Sequence, residues 1–233
     1  MMCGDCRKVL PILPRRYRLV LTDPPYGDIL AASWDVPGSI TDEFCELLKP
    51  TLLPDASIYL WCGIGEKSRS LLDFIRVLDR HFYFKDLVTW KKRRGIGGRR
   101  GWLYTREEVL WYVVDRNRFF WNKDNQYSCE PNEFTQGMQG TRVHPTKRLT
   151  NVWTDIPEQL VKTPGTHPAA KPIQALERII LAHTEPGNWV LDPFAGSGST
   201  LVACAKLDRN GTGIEIDPSY CRRYWEMGSS CAL

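Results

Sequence analysis

Apolar positions along this chain come in short runs alternating with helical stripes. Tyr17 to Leu21 is a short apolar run, the pattern of a buried strand, and it stops at an acid followed by two prolines. Ser39 with Asp42 three residues on resembles a helix N-cap; Ile40, Phe44, Leu47 and Leu48 then share one face, and Pro50 follows the end. Ser57 to Cys62 predicts a second buried strand, Leu71, Leu72, Ile75 and Leu78 a second helix, and Phe82 to Trp90 a third strand. Strand, helix, strand, helix, strand reads as a parallel sheet with crossover helices. Ahead of it, Met1 to Cys3 predicts a short edge strand ending at Gly4-Asp5.

The pattern changes at Lys91. A basic, glycine-rich loop (91–101) is expected, leading into a strand from Val109 to Val114 close enough to pair with the preceding one. Between Arg116 and Gly165 neither period holds over most of the length, and so long a stretch without elements reads as a functional insertion. Order returns at Pro172, a good first helical residue, with Ile173, Leu176 and Ile180 on one face and Pro186-Gly187 as a stop. Trp189 to Leu191 predicts a strand, Ser199 to Leu207 a helix and Thr212 to Ile216 a strand. The expected class is α/β, a doubly wound, mostly parallel sheet. It has a first half over 1–115, an insertion over 116–165, and a second half of the same domain over 166–233.

Composition adds little to this, with one exception. The 233 residues, 42% hydrophobic and 25% charged, suit a globular protein large enough to bury a core. No apolar stretch approaches the roughly eighteen residues of a membrane span and no signal-peptide pattern is present, so a cytoplasmic location without membrane contact is expected. Eight cysteines are scattered singly apart from Cys3 and Cys6, which lack a second pair, so reduced thiols and no metal site are expected. The exception is local charge. Net charge is +4, yet six of the ten residues from Lys91 to Arg100 are basic, which points to an anionic partner or else to a solvated face.

Two stretches carry candidate chemistry. At Asp23-Pro24-Pro25-Tyr26 each proline fixes its own φ and drives the residue before it into an extended conformation. The Asp23 carboxylate and the Pro24 carbonyl can then point into one small space with the Tyr26 ring nearby. Two acceptors and a flat face suit a planar ring bearing an amino group; the alternative is an Asp-Pro turn leaving a strand. The second stretch is Asp192-Pro193-Phe194-Ala195-Gly196-Ser197-Gly198-Ser199-Thr200, a glycine-rich strand-to-helix turn. Dinucleotide binding fits poorly, because Leu201 stands at the third glycine position and Asp192 would face a pyrophosphate of like charge. No GK[ST] follows, so a P-loop is excluded. An acid beside the turn suits a cationic ligand, and Glu215, 23 residues on and followed by Ile216, suits a ribose diol. S-adenosylmethionine meets both demands; a tight turn without a ligand is the alternative.

Together with Gly4-Asp5-Cys6, Thr166-His167-Pro168-Ala-Ala-Lys171-Pro172 and Gly213-Ile-Glu215-Ile-Asp217, these stretches resemble the amino-group DNA methyltransferases. Their order is similar to that of the permuted β group, with catalytic motif first, recognition region in the middle and cofactor motif last. The resemblance implies a circularly permuted S-adenosylmethionine-dependent methyltransferase fold, with Asp5 and Cys6 near the cofactor adenine and Lys171 flanking its methionine end. It implies methylation of an exocyclic amine in double-stranded DNA, with Asp23 and the Pro24 carbonyl as acceptors and Tyr26 stacked on a flipped-out base. Asp at the head of the motif points to adenine N6. The alternatives are N4-cytosine, RNA or protein glutamine methylation, and a catalytically inactive DNA-binding module. Lys91, Lys92, Arg93, Arg94, Arg99 and Arg100 are expected on phosphates, and base reading among Arg118, Asn122, Lys123, Asn125, Gln126 and Arg142. A homodimer and a role in restriction–modification are left open.

Overall fold

A computed structural model describes residues 1–26, 38–65, 68–96, 101–131, 145–158 and 171–230. Its strands are β1 (Met2–Cys3), β2 (Tyr17–Thr22), β3 (Leu52–Cys62), β4 (Tyr83–Ile96), β5 (Tyr104–Val113), β6 (Tyr127–Pro131), β7 (Thr146–Arg148), β8 (Val152–Trp153), β9 (Trp189–Asp192) and β10 (Asn210–Glu215). The helices are α1 (Cys6–Val9), α2 (Asp42–Leu48), α3 (Ser70–Leu78), α4 (Ile173–His183), α5 (Ser199–Lys206) and α6 (Pro218–Ser230). Among the described residues no helix is long and apolar enough to cross a membrane.

Eight strands form one sheet in the order β1-β10-β9-β2-β3-β5-β4-β8, while β6 and β7 make a separate ribbon. From β1 to β3 all neighbours are parallel. Such strands are covered on both faces, which is why Leu19 to Leu21 of β2 read as a continuous apolar run instead of an alternation. Val20 faces the core made by α2 and α3; Leu19 and Leu21 face the core made by α4 and α5. A register shift between Tyr17 and Leu19 puts those two residues on opposite faces, although they are two apart. The chain leaves β9 towards β10 and leaves β2 towards β3, so strand order reverses between β9 and β2. In open α/β sheets ligands bind at such a point, outside the carboxyl ends of the strands.

Several sequence expectations change in detail. The α2 cap is Thr41, whose hydroxyl accepts from the Phe44 N–H at 3.1 Å; the Ser39 hydroxyl instead donates to the Pro25 carbonyl. On α3, Leu72 is exposed and Phe74 takes its place in the core. β5 is antiparallel and lies between β3 and β4, which separates the third predicted strand from the second. Lys91 to Ile96 are not a loop but the end of β4, paired with β5 from Lys91 opposite Arg106 to Ile96 opposite Tyr104. Gly95 serves packing there, because a Cβ would stand 2.7 Å from the Leu103 Cβ. The stretch 116–165 also contributes to the domain. Phe119 and Trp121 pack on the second core, Trp153 and Ile156 are buried in it, and β8 adds to the sheet beside Thr89 and Trp90. Aromatic residues separated by polar ones carry neither period, so sequence patterning does not reveal them. The terminal helix α6 has no counterpart among the sequence expectations.

Candidate active site

At the reversal point the sequence places a threonine and an aspartate on adjacent strand ends. Thr22 Oγ1 donates to Asp192 Oδ1 at 2.6 Å, Thr200 Oγ1 donates to Oδ2 at 2.6 Å, and the Phe194 N–H donates to Oδ1 at 3.2 Å. One carboxylate thereby joins β2, β9 and α5, and both its oxygens have partners within the protein. Burial pushes the Asp192 pKa up to about 6, against the opposing pull of those hydrogen bonds.

The turn after Asp192 needs glycine at two places. Gly196 and Gly198 have φ of 51° and 84°, a region that side chains disfavour, and a Cβ on Gly198 would meet the Tyr224 ring at 2.5 Å. The Gly196 N–H donates to Glu215 Oε2 at 2.7 Å and the Asp217 N–H to Oε1 at 2.8 Å, which fixes the carboxylate at the end of β10. β1 lies alongside, and the Gly4 N–H reaches the Glu215 carbonyl. Asp5 caps α1 through the Arg7 N–H and pairs with the Arg7 guanidinium at 2.6 Å, which holds its carboxyl below the usual range. Burial pushes the neighbouring Cys6 thiol up to about 11.

These parts enclose a cavity of about 400 Å³. Asp5, Cys6, Asp192, Phe194, Ala195, Gly196, Ser197, Ser199, Thr200, Glu215 and Ile216 all line it, together with Asp23, Pro25 and Lys171. The two motifs, at opposite ends of the sequence, therefore meet in one space. Pro24 is buried behind it, and Gly198 is enclosed beneath Tyr224.

The mouth nearest β2 holds a cluster of ions. Lys171, immediately before α4, places Nζ 3.0 Å from Asp23 Oδ2 and 2.9 Å from Glu107 Oε2. Lys92 pairs with the other Glu107 oxygen. The Tyr26 hydroxyl donates to Asp23 Oδ1 at 2.5 Å, and the Lys171 ammonium lies over the rings of Trp61 and Tyr26, 5.1 and 5.6 Å from their centroids. Burial raises the Asp23 pKa although Lys171 opposes it. For Glu107, burial is outweighed by Lys171 and Lys92, and the carboxyl is held below its ordinary range. For Lys171, burial is outweighed by Asp23 and Glu107, and its pKa is raised. Trp61, which lines the cavity, keeps a buried Nε1–H that has no partner among the described residues.

Glu107, Trp61 and Thr22 are not among the residues expected from sequence. The available signal is weak: Glu107 and Glu108 form an acid pair on a strand, where consecutive side chains face opposite sides. Glu108 turns to Thr89 and Arg106, and Glu107 to the site.

The expected DNA contacts divide. Lys91 is exposed on β4, Lys92 is engaged by Glu107, Arg93 and Arg94 continue the β4 backbone, and Arg99 and Arg100 lie outside the described residues. Arg118, Asn122 and Lys123 are not brought to the cavity. The Phe120 N–H bonds the Asp55 carbonyl and the Asn122 N–H the Ala182 carbonyl, which anchors this segment at the amino ends of the parallel strands. The Asn122 side chain is already engaged by the Asp124 N–H. Closeness in sequence does not say which edge of a sheet a connection crosses. Arg142 and residues 166–170 lie outside the described residues.

A family model described as DNA methylase matches residues 17–226. The Type II methyltransferase M.HpaI of Haemophilus parainfluenzae is 29% identical over 232 residues, covering 94% of this chain and 71% of the relative. Among solved structures, the M1.HpyAVI–SAM complex superposes with a TM-score of 0.64 at 23% identity, covering 97% of both chains. The PvuII DNA methyltransferase, described as cytosine-N4-specific, superposes with a TM-score of 0.70 at 17% identity, over 96% of this chain and 83% of that one. With a family match spanning both motifs, the chain belongs to the DNA methylase family.

Proposed function

We propose that this protein transfers a methyl group from S-adenosylmethionine to the exocyclic N6 amine of an adenine flipped out of double-stranded DNA. The observation that carries this reading is that Asp23 and Glu215 face the same cavity from opposite motifs. The donor set fits the cofactor. Glu215, held by two backbone N–H groups, can accept from a ribose diol. Phe194 and the exposed Ile216 offer apolar flanks to a flat ring, and Asp5 lies at the same end. The size is that of a small-molecule site. When bound, the cofactor supplies a methyl group on a positively charged sulfur, open to displacement by a nitrogen lone pair.

The chain's own residues prepare that lone pair. An adenine amine is a poor nucleophile because its lone pair is delocalised into the ring. Hydrogen bonds from its two hydrogens to Asp23 and to the Pro24 carbonyl draw the nitrogen towards tetrahedral geometry and free the lone pair; as the nitrogen gains the methyl it sheds one of these hydrogens as a proton, which leaves along the hydrogen bond to Asp23 and on to solvent. Asp23 is oriented for this by the Tyr26 hydroxyl on its Oδ1. The Tyr26 ring supplies a stacking face, and the exposed β4 residue Lys91 is placed for a phosphate.

The test is mass spectrometry of nucleosides from duplex DNA treated with the protein and S-adenosylmethionine. N6-methyladenine is expected. N4-methylcytosine instead would overturn the base assignment and leave the family standing. Absence of both under conditions where the protein is folded would overturn the activity.

A further inference from the structure

We propose that Glu107 is a positioning residue for the transfer, an alternative partner that takes Lys171 from Asp23 when the target amine arrives. The inference rests on the methyl-transfer reading above and adds a residue outside both motifs. In the free protein both Asp23 oxygens are occupied, Oδ1 by the Tyr26 hydroxyl and Oδ2 by Lys171. An incoming amine needs one of them. Lys171 is buried, and a buried ammonium left without a partner is strongly unfavourable. Glu107 removes that obstacle, because its Oε2 already stands 2.9 Å from Nζ, as close as Asp23 does at 3.0 Å. Lys171 can loosen its hold on Asp23 without leaving an ion pair. Lys92, on the far oxygen, keeps Glu107 ionised and fixed. Two anions and two cations make the cluster neutral, so exchange of partners moves no net charge.

The titratable and charged groups around Asp23 come from several packed elements, with Tyr26 and Cys62 neutral. They are Tyr26 beyond β2, Cys62 at the end of β3, Lys92 on β4, Glu107 on β5, Lys171 before α4 and Asp192 on β9. Glu107 raises the Asp23 pKa and Lys171 lowers it. Removing either charge therefore moves the pH at which Asp23 loses its ability to accept, and in opposite directions.

Methylation kcat is measured against pH for the parent, Glu107→Gln and Lys171→Gln, with cofactor binding by calorimetry and melting temperature alongside. The expected result for E107Q is a kcat plateau lowered about tenfold or more, since Lys171 stays on Asp23 and blocks the amine. Its acid limb should shift to lower pH, with cofactor affinity and melting retained. K171Q should shift the acid limb to higher pH. E107D, which keeps the charge on a shorter arm, should recover part of the rate. Parent-like plateau and acid limb in E107Q would overturn the proposal, as would a rate loss accompanied by equal losses of cofactor binding and melting temperature. An inactive parent protein would instead overturn the methyl-transfer reading itself.

Discussion

At the amino edge of the sheet, His183 is closed in on every side. Its Nδ1 lies 2.9 Å from the Phe120 carbonyl and 3.1 Å from Ser57 Oγ, and its Nε2 lies 2.8 Å from the Tyr59 hydroxyl. The carbonyl requires the hydrogen on Nδ1, so Nε2 accepts from Tyr59. The rings of Tyr59, Trp111 and Trp121 complete the enclosure at 4.9 to 5.2 Å. At the carboxyl edge, Lys171 is also buried and Asp23 half-buried, but they carry charge and border a cavity. The difference separates two uses of a buried polar group. A neutral group with all its hydrogen bonds satisfied holds elements together; here it ties α4 to β3 and to the segment around Phe120. Ions kept beside open space cost more to bury, and they keep their field directed at whatever enters.

The largest effect expected at the carboxyl edge comes from Asp23→Ala. It should lower methylation about 100- to 1000-fold, while cofactor affinity measured by calorimetry changes little, since Glu215 and the glycine turn are untouched. Equal losses of both would merge the two ends of the cavity into one function. Tyr26 sharpens the same point. Stacking on the ring alone would make Phe an adequate replacement, but the hydroxyl donates to Asp23. Tyr26→Phe should therefore lose roughly 1.5–3 kcal/mol of transition-state stabilisation, the range for hydrogen bonds to charged groups, with Tyr26→Ala lower still. A Phe variant as active as the parent would leave only the ring.

The amino edge should respond in stability, not in catalysis. Burial holds the His183 pKa down to about 3, against an ordinary value of 6.5. The unfolded chain thus takes up a proton that the folded chain refuses. Stability is lost as pH falls below about 6.5, by up to about 1.4 kcal/mol per pH unit, until the folded imidazole titrates near 3. His183→Gln should be less stable than the parent at pH 7, with its stability falling less steeply between pH 6 and 4. Its kcat at neutral pH should match the parent's. Urea titrations across that range check the slope, and a parent-like slope would mean that His183 is not the group responsible.

How much of this was legible depends on what each residue answers to. β2 and β9 are plain in the sequence because two-sided burial demands the apolar runs Leu19 to Leu21 and Trp189 to Leu191, and Asp23-Pro24-Pro25-Tyr26 shows because proline restricts the backbone locally. The meeting of the two motifs is a property of the sheet order, which sets β2 beside β9. Lys91 to Ile96 misled because Lys, Arg and Gly are poor strand formers; pairing with Tyr104 to Arg106 determines that segment, and pairing leaves no local signature. Glu107 and Lys171 are 64 residues apart in sequence, and only the antiparallel insertion of β5 beside β3 brings them together.

The smallest effect expected is also the one that tests where DNA lies. Cys62 and Ser57 mark the two edges of the sheet on β3, five residues apart, so about 17 Å of strand separates the cavity from the segment holding Arg118 and Lys123. A duplex presenting a base to Asp23 lies across the carboxyl edge, where Lys91 is exposed on the β4–β5 hairpin. Arg118 is exposed too, but it pairs with Asp115 at 3.9 Å, away from the carboxyl edge. Lys91→Ala should weaken binding to every duplex alike and flatten the plot of log K against log salt by about 0.9, the share of one phosphate contact. Preference among sequences should persist, because phosphate contacts carry no base information. The Arg118→Ala, Lys123→Ala double variant should leave both affinity and salt slope at parent values. Fluorescence anisotropy over a salt series decides it. A flattened slope in the double variant would put DNA around the amino edge as well, and the division of labour between the edges would then apply to chemistry but not to binding.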